Sequence, residues 1–106
     1  MIQLKTPPPI KPGDKIRIVS PAGKVAEKYV LPAVEWLTRQ GYKVELGKHV
    51  FDTHFQFAGT DAERLEDLQT ALDDPETAAI ICSRGGYGTV RIIGQTDFSR
   101  FRKKPK

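Results

Sequence analysis

The fold of this chain is decided by residues 78–88, AAIICSRGGYG. Residues 78–82 form a continuous apolar run bounded by turn residues, which predicts a strand buried on both faces, as in a parallel sheet. The glycine-rich residues 83–88 predict a tight turn that leads into a short helix from about Thr89 to Ile93. A buried strand, a glycine turn and a helix in this order are typical of an α/β protein.

The helix that precedes this strand begins at Thr60. Thr60 and Glu63 have the spacing of a capping box, in which each side chain satisfies a free backbone N–H of the other residue. Leu65, Leu68 and Leu72 follow at the i, i+3 and i+7 positions of one helix face. The sequence Asp-Asp-Pro at residues 73–75 ends the helix.

An earlier helix is predicted to begin at Pro32, since the missing N–H of proline costs nothing at a first helical position. Gly41 provides its C-terminal stop. Its apolar stripe comprises Val34, Trp36 and Leu37.

Two further strands are indicated by alternating apolar residues, at 15–20 (KIRIVS) and 42–46 (YKVEL). The element order is therefore β-α-β-α-β-α, which predicts a three-layer α/β fold with a parallel sheet and right-handed crossovers. This is half of a flavodoxin-like or Rossmann-like sheet, and we expect the first strand in the middle, in the order 2-1-3.

The length of 106 residues allows one compact domain, which we assign to residues 13–106 after an extended leader at residues 1–12. The net charge of +4 raises the question of nucleic acid. However, the basic residues crowd the end of the chain, aromatics are sparse and no nucleic-acid module is recognisable, so a solvated basic tail is expected instead. The tail residues are Arg100, Arg102, Lys103, Lys104 and Lys106.

The single cysteine, Cys82, excludes an internal disulfide and fits a reducing compartment. Residues 1–12 do not resemble a signal peptide, and no apolar run approaches the roughly 20 residues of a membrane span. A cytoplasmic protein without a membrane partner is expected.

Three loops follow the carboxyl ends of the predicted strands, where α/β proteins bind their ligands: residues 20–23, 47–59 and 83–88. In the third loop, glycines let a ligand approach the backbone, and N–H groups at a helix start favour a carboxylate or a developing oxyanion. A tight turn that merely requires glycine explains the same residues equally well. A dinucleotide fingerprint is excluded because Arg91 stands where its third glycine would be, and the Gly-Lys-Ser/Thr ending of a phosphate loop is absent.

Candidate nucleophiles within the chain are weak. Neither Ser20 nor Ser83 stands in a Gly-x-Ser-x-Gly elbow, and Ser20 precedes a proline and suits a turn. Cys82 ends an apolar strand and is predicted to be a small buried hydrophobe rather than a reactive thiol. We expect no covalent catalysis from these three residues.

The two histidines, His49 and His54, are predicted to be surface loop residues, and no metal site is expected from them because no ligand cluster is evident. The acidic residues that follow Thr60 are predicted to form an exposed helix face that favours the helix dipole. These acidic residues are Asp61, Glu63, Glu66 and Asp67.

Three landmarks in the same order resemble the LD-carboxypeptidases. Residues 11–14 (KPGD) with 20–23 (SPAG) are similar to the opening of that family, and residues 57–61 (FAGTD), followed by Arg64 and DLQ at 67–69, are similar to its second landmark. The third and most specific is ICSRGGYG at 81–88 with Arg91. The resemblance runs from about Lys11 to the end of the chain.

This resemblance implies a cytoplasmic serine peptidase, without metal or organic cofactor, that removes the terminal D-alanine of murein tetrapeptides in cell-wall recycling. Its peptide substrate ends in a D-amino acid. It implies a homodimeric parent with a C-terminal domain that supplies the Glu and His of a Ser-His-Glu triad. Gly85 and Gly86 would provide backbone N–H donors to the oxyanion or substrate, and Tyr87 would shape the pocket. Weaker assignments are Ser20 and Arg84, and Arg84 could equally pair with the acidic helix.

Pro105-Lys106 resembles the Pro-Lys pair that stands shortly before the family's nucleophile. We therefore expect the domain to be truncated before that serine and to be inactive by itself, since a triad needs its nucleophile, base and acid together. A sister branch, the microcin C immunity proteins, implies a peptide–nucleotide substrate instead. A stand-alone module that binds a small anion through residues 83–88 is an alternative outside the peptidases.

Overall fold

The computed structural model describes residues 4–106. In the leader predicted for residues 1–12, residues 4–11 carry no regular secondary structure, and residues 1–3 lie outside the described part of the chain. The strands are β1 (Lys15–Val19), β2 (Lys43–Leu46) and β3 (Thr77–Cys82). The helices are α1 (Glu27–Arg39), α2 (Asp61–Asp73), a 3₁₀ turn (Tyr87–Thr89), α3 (Val90–Ile93) and α4 (Ser99–Lys103).

The three strands form one parallel sheet in the order β2-β1-β3, as the sequence predicts. Ile16 of β1 lies opposite Val44 of β2 and Ala79 of β3. The connection from β1 to β2 runs in one direction across the sheet and that from β2 to β3 runs back. Because parallel crossovers are right-handed, this reversal places α1 and α2 on opposite faces of the sheet.

The core is centred on β1. Ile16, Ile18 and Val19 are at most 2% exposed, since a central strand is covered by a neighbour on each side and a helix on each face. Ala71 of α2 and Ile92 of α3 are likewise buried. The carboxyl end of β1 is thus packed on all sides, and the loop that follows it starts from the core.

Helix α2 begins with the predicted capping box. Thr60 Oγ1 accepts a hydrogen bond from the backbone N–H of Glu63 at 3.2 Å, and the N–H of Thr60 donates to Glu63 Oε1 at 2.9 Å. The buried face of the helix differs from the predicted one, because Leu65 and Leu68 are only half-buried. Its buried residues are Arg64, Asp67, Ala71 and Leu72.

Helix α1 corrects the predicted start at Pro32, since it begins at Glu27 and contains Pro32 in its interior. Pro32 removes one intrahelical hydrogen bond, but the helix continues through it and buries Val30 against the core. Trp36 is 54% exposed and does not belong to the buried stripe. Helices α1 and α2 have 13 residues each, and no helix within residues 4–106 is long and apolar enough to cross a membrane.

Strand β3 is less buried than its apolar sequence predicts. It is an edge strand, paired with β1 alone, and its last two residues, Ile81 and Cys82, are exposed. The predictions that this strand is covered on both faces and that Cys82 is buried are therefore wrong. Although Cys82 as a residue is exposed, partial burial of its thiol raises its pKa, so the neutral thiol is favoured.

The basic end of the chain is not simply a solvated tail. Residues 99–103 form α4, and Lys106 Nζ donates to the carbonyl oxygens of Ala71 at 3.1 Å and Asp74 at 2.6 Å. These carbonyls lie at the C-terminal end of α2, where a cation is favoured by the helix dipole. Part of the positive charge is thus used within the fold.

Candidate functional site

The loops after all three strands converge at the carboxyl edge of the sheet. The N–H of Ala58 donates to the carbonyl of Ala22 at 3.0 Å, which ties the loop after β2 to the loop after β1. The N–H of Ser83 donates to the carbonyl of Val19 at 2.8 Å, so the loop after β3 starts beside the same segment. The three loops expected from the sequence therefore form one surface.

Gly85, Gly86 and Tyr87 are exposed on this surface. Among the hydrogen bonds of residues 4–106, none uses the backbone N–H of Gly85 or Gly86. Gly86 has a φ of +145°, which only glycine adopts readily, and a Cβ built on Gly85 would meet no atom within 4 Å. Neither N–H group is therefore used by the described part of the chain itself. The helix that follows is a 3₁₀ turn and one turn of α3, so its dipole contributes little.

Gly88 plays a different part from the exposed glycines. It is buried, and a Cβ at this position would lie 2.9 Å from Ala22 Cα and 2.9 Å from Phe57 Cδ1. Its lack of a side chain thus lets the third loop pack directly on the other two. The ring of Phe57 also lies beside Tyr87, with 6.3 Å between the ring centroids.

Ser20 and Ser83 bond to each other and not to a base. Their Oγ atoms are 2.6 Å apart, and Ser20 Oγ donates to the carbonyl of Val50 at 2.9 Å. Because a hydroxyl has one proton, the proton between the two serines comes from Ser83. Among the residues the structure describes, neither hydroxyl has an imidazole or carboxylate partner. A base is what activates a serine hydroxyl as a nucleophile, and neither serine is paired with one within residues 4–106.

Arg84 does not pair with the acidic helix. Its Nη1 donates to the carbonyl of Lys24 at 3.2 Å, and its side chain lies over Gly23, close to the position a Cβ would occupy. The pairing with the acidic helix, one of two roles expected for Arg84, is wrong. Arg84 instead links the loops after β1 and β3 on the exposed surface.

The acidic helix is paired by two other arginines. Asp61 Oδ1 accepts from Arg64 Nη2 at 2.6 Å, and Asp61 Oδ2 accepts from Arg91 Nη2 at 2.9 Å. The Arg91 guanidinium, and then that of Arg64, lower the pKa of Asp61 to about 2. The carboxylate stays ionised between its two cations at neutral pH.

Sequence reasoning missed the burial of Arg64, whose side chain is 0% exposed. A signal was present, because Arg64, Asp67 and Ala71 are spaced i, i+3 and i+7 and share one helix face. Asp67 is likewise buried and accepts from the N–H of His49 at 2.7 Å. Burial raises the pKa of Asp67. The prediction that Asp67 belongs to an exposed face is wrong.

His49 is not the surface residue that was expected. Its side chain is 11% exposed, and Nδ1 lies 2.6 Å from Asp52 Oδ2 and 3.5 Å from Glu63 Oε2. The hydrogen bond to Asp52 raises the pKa of His49, although desolvation lowers it. His54, in contrast, is exposed in a short hairpin with Phe57.

The ligand atoms of His49, Asp52 and Glu63 lie within 4.8 Å of one another, a spacing that a metal ion could bridge. However, Asp52 is already the hydrogen-bond partner of His49, and Glu63 Oε1 accepts from the N–H of Thr60. A metal would compete with the imidazole bond and with the cap of α2. The expected absence of a metal stays a prediction.

A surface cavity of about 580 Å³ lies away from this site. It is lined by Thr77 and Ala78 at the amino end of β3 and by the end of the chain, including Lys106. Ligands of parallel α/β sheets bind at the carboxyl ends instead. A smaller cavity of about 460 Å³ lies beside the converging loops and is lined by Phe57, Asp61 and Arg91 among others.

Comparison with known proteins agrees with this geometry. A family model described as the LD-carboxypeptidase N-terminal domain matches residues 16–106. The probable murein peptide carboxypeptidase of Bacillus subtilis (strain 168) is 39% identical over 100 residues, covering 94% of this chain and 31% of that protein. The murein tetrapeptide carboxypeptidase of Pseudomonas aeruginosa is 33% identical over 88 residues, covering 83% of this chain and 29% of that protein.

A solved structure of the protein MccF in complex with glutamyl sulfamoyl guanosine superposes with a TM-score of 0.87 and 25% identity. That match covers 94% of this chain and 31% of the MccF chain. The chain thus spans about a third of the length of the curated relatives it matches.

Proposed function

Since this chain belongs to the LD-carboxypeptidase family, we propose that it is the substrate-binding N-terminal part of a serine-type hydrolase that removes D-alanine from murein tetrapeptides. Two relatives support this substrate class, the probable murein peptide carboxypeptidase of Bacillus subtilis and the murein tetrapeptide carboxypeptidase of Pseudomonas aeruginosa. The proposal includes the cytoplasmic location and the role in cell-wall recycling expected from the sequence. It also includes the homodimeric parent that the family resemblance implies.

The observation that carries the proposal is the pair of free backbone N–H groups at Gly85 and Gly86 on the carboxyl edge of the sheet. Two adjacent N–H donors suit a carboxylate or a tetrahedral oxyanion, the charged groups of a carboxypeptidase substrate and its intermediate. The open space at Gly85 leaves room for a peptide to approach the backbone. Tyr87, which is 66% exposed, would form the adjacent wall.

The proposal divides the reaction between this chain and the remainder of its parent. Ser20 and Ser83 bond to each other, and a nucleophile needs a base that neither of them has here. We therefore propose that the chain binds substrate without cleaving it. The serine, histidine and glutamate of the family's triad would come from the part of the parent that follows Lys106.

A second candidate is the MccF type of activity, in which the substrate carries a nucleotide. The superposition on MccF with glutamyl sulfamoyl guanosine favours it, because that match covers 94% of this chain. Sequence identity favours the murein type, since it is 39% to the Bacillus subtilis relative and 29% to the microcin C7 self-immunity protein MccF of Escherichia coli.

The binding part of the proposal is tested by NMR titration of the isolated chain with a tetrapeptide that ends in D-alanine. We expect shifts of the Gly85 and Gly86 amides, and weaker shifts when the peptide ends in L-alanine. Gly85→Ala should fold normally and bind more weakly, because its Cβ occupies the ligand's approach. Gly94→Ala is the matched control, since a Cβ at Gly94 also meets no atom within 4 Å but lies beyond α3.

The outcomes separate the candidates. Stronger binding of glutamyl sulfamoyl guanosine than of the D-alanine peptide would favour the MccF type. Equal binding of inorganic phosphate would instead indicate a stand-alone anion-binding module. No shift of Gly85 or Gly86 with any of these ligands would contradict the site itself.

Catalysis is tested by measuring D-alanine release from the tetrapeptide. We expect none from the isolated chain, and release from a chimera in which this chain replaces the corresponding first third of the Bacillus subtilis relative. Release by the isolated chain, abolished by Ser20→Ala or Ser83→Ala, would show that a nucleophile lies within these residues. It would contradict the proposed division of the reaction between this chain and the remainder of its parent.

A further inference from the structure

Arg64 is the largest fully buried side chain of the described residues, and its placement is unusual for a charged group. It lies in the first turns of α2, on the helix face that meets the converging loops. Moving a guanidinium out of water is costly unless hydrogen bonds and an opposite charge compensate it. The contacts of this side chain therefore indicate what its burial achieves.

The guanidinium donates to a backbone carbonyl in each of the three loops. Nε donates to Pro21 at 3.0 Å in the loop after β1, and Nη1 donates to Gly59 at 2.8 Å in the loop after β2. Nη2 donates to Gly88 at 3.3 Å in the loop after β3. Nη2 also donates to Asp61 at 2.6 Å, which supplies the opposite charge.

Two further contacts hold the Arg64 guanidinium and its partner Asp61 in place. The guanidinium carbon of Arg64 lies 4.6 Å from the centroid of the Phe57 ring, so the plane is also held by an aromatic face. Asp61, the partner of Arg64, is bound through both oxygens by Arg91 of α3. The loop that contains Gly85 and Gly86 is thus held at its far end by Gly88 and through the helix that follows it.

Only arginine has the geometry for this task. Its planar fork carries five N–H donors in fixed directions, whereas lysine is a point charge with three donors at the end of a flexible stem. A lysine at position 64 could preserve the charge but could not reach three carbonyls that lie on different sides of the fork. The side chain thus acts through its shape and not only through its charge.

From these contacts we infer that Arg64 is a positioning residue, which sets the placement of the Gly85 and Gly86 amides relative to the loops after β1 and β2. It does not touch the ligand. The inference rests on the proposed function as far as it concerns ligand binding, but the placement of the amides is a property of the chain by itself. The two parts can therefore be tested separately.

The test compares Arg64→Lys with Arg17→Lys in the isolated chain. Arg17 is a matched control, since its side chain is 14% exposed and it pairs with Glu45 and Asp74, away from the loops. Both variants should be less stable than the wild type. Only Arg64→Lys should shift the Gly85, Gly86 and Gly88 amide resonances and speed their hydrogen exchange under conditions where both proteins are fully folded.

Ligand binding gives the second readout. We expect Arg64→Lys to weaken binding of the D-alanine tetrapeptide about tenfold, the factor that corresponds to one lost hydrogen bond, while Arg17→Lys leaves the affinity unchanged. If the wild type binds no such peptide, the proposed function fails, and the amide resonances still decide the role of Arg64.

Wild-type resonances and exchange rates for these glycines in a folded Arg64→Lys protein would overturn the inference. Should Arg64→Lys not fold, Asp61→Ala takes its place, because it removes the opposite charge from a half-buried position and leaves the three carbonyl bonds possible. A smaller shift of the same amides is then expected, and unchanged amides would again contradict the positioning role.

Discussion

At the scale of single residues, the site depends on two glycines that leave space and on one arginine that fills it. Gly88 and Gly85 leave space, the first for neighbouring loops and the second for a ligand, whereas Arg64 fills the interior between the loops. These roles are distinct although Gly85 and Gly88 stand three positions apart. The difference follows from burial, since Gly88 is buried and Gly85 is exposed.

Gly88→Ala is predicted to destabilise the chain by about 1–3 kcal/mol, because its Cβ would overlap Ala22 and the Phe57 ring in a packed interior. Urea unfolding measures this as a lower midpoint with an unchanged slope. Gly94→Ala, which meets no neighbouring atom, should unfold like the wild type. Equal midpoints for the two variants would show that the loops can separate without cost.

At the scale of elements, helix α2 organises the carboxyl edge of the sheet. Its first turns carry the cap at Thr60 and the buried Arg64, and its next turn carries Asp67, which binds the loop after β2 at His49. The neighbouring imidazole of His49 faces Asp52, Glu63 and Glu66. The attachment of this loop therefore includes an imidazole whose pKa is raised by its hydrogen bond to Asp52.

Because the pKa of His49 is raised in the folded chain, we predict that the free energy of unfolding decreases as the pH rises. Its partners favour the charged imidazolium in the folded state, so the contribution is complete below the ordinary pKa of 6.5 and is lost as pH rises through the higher folded value. Urea unfolding at pH 6 and pH 8.5 should show a smaller decline in His49→Gln than in the wild type.

The carboxylates that face His49 belong to its own loop and to α2, and one of them, Glu66, also lies 4.0 Å from Lys48 Nζ. His54→Gln is the control, because His54 is exposed in the adjacent hairpin. It should keep the wild-type pH dependence. A His49→Gln protein with an equally large decline would place the pH dependence elsewhere.

The helix starts and the cover of the strands show which structural features can be predicted from sequence patterns alone. The capping box at Thr60 was predicted correctly because its two residues determine it locally. The start of α1 was predicted wrongly at Pro32, since tertiary packing of Val30 extends the helix through a residue that would end it in isolation. The cover of β3 was also predicted wrongly, because an apolar run does not reveal which strands stand at the edge of a sheet.

At the scale of the whole molecule, apolar side chains are exposed on and after the edge strand β3. Ile81 is 40% exposed, Tyr87 66%, Val90 62% and Ile93 43%. An unpaired strand edge beside exposed apolar residues promotes association with another surface. The β3 edge therefore combines an unpaired strand edge with exposed apolar side chains.

We predict that the isolated chain self-associates as its concentration rises, through this side of the sheet. Light scattering should report an increasing average mass, and Ile81→Lys should reduce it by placing a charge at the edge. Leu31→Lys is the matched control, since Leu31 is 45% exposed on α1. A monomer at all concentrations would contradict the prediction.

The sequence by itself determined the α/β class, the capped helix at Thr60 and the glycine loop at residues 83–88, which depend on local periodicity or on a few adjacent residues. It also led us to expect the strand order 2-1-3, which the structure confirms but which depends on how distant strands pair. Only the tertiary structure decided that Arg64 and Asp67 are buried, that His49 is enclosed by carboxylates and that Ser20 bonds Ser83. These contacts join residues from different loops or from a loop and a helix. The pairing of a charged or polar group depends on which distant segment meets it, and a linear pattern does not encode that distance.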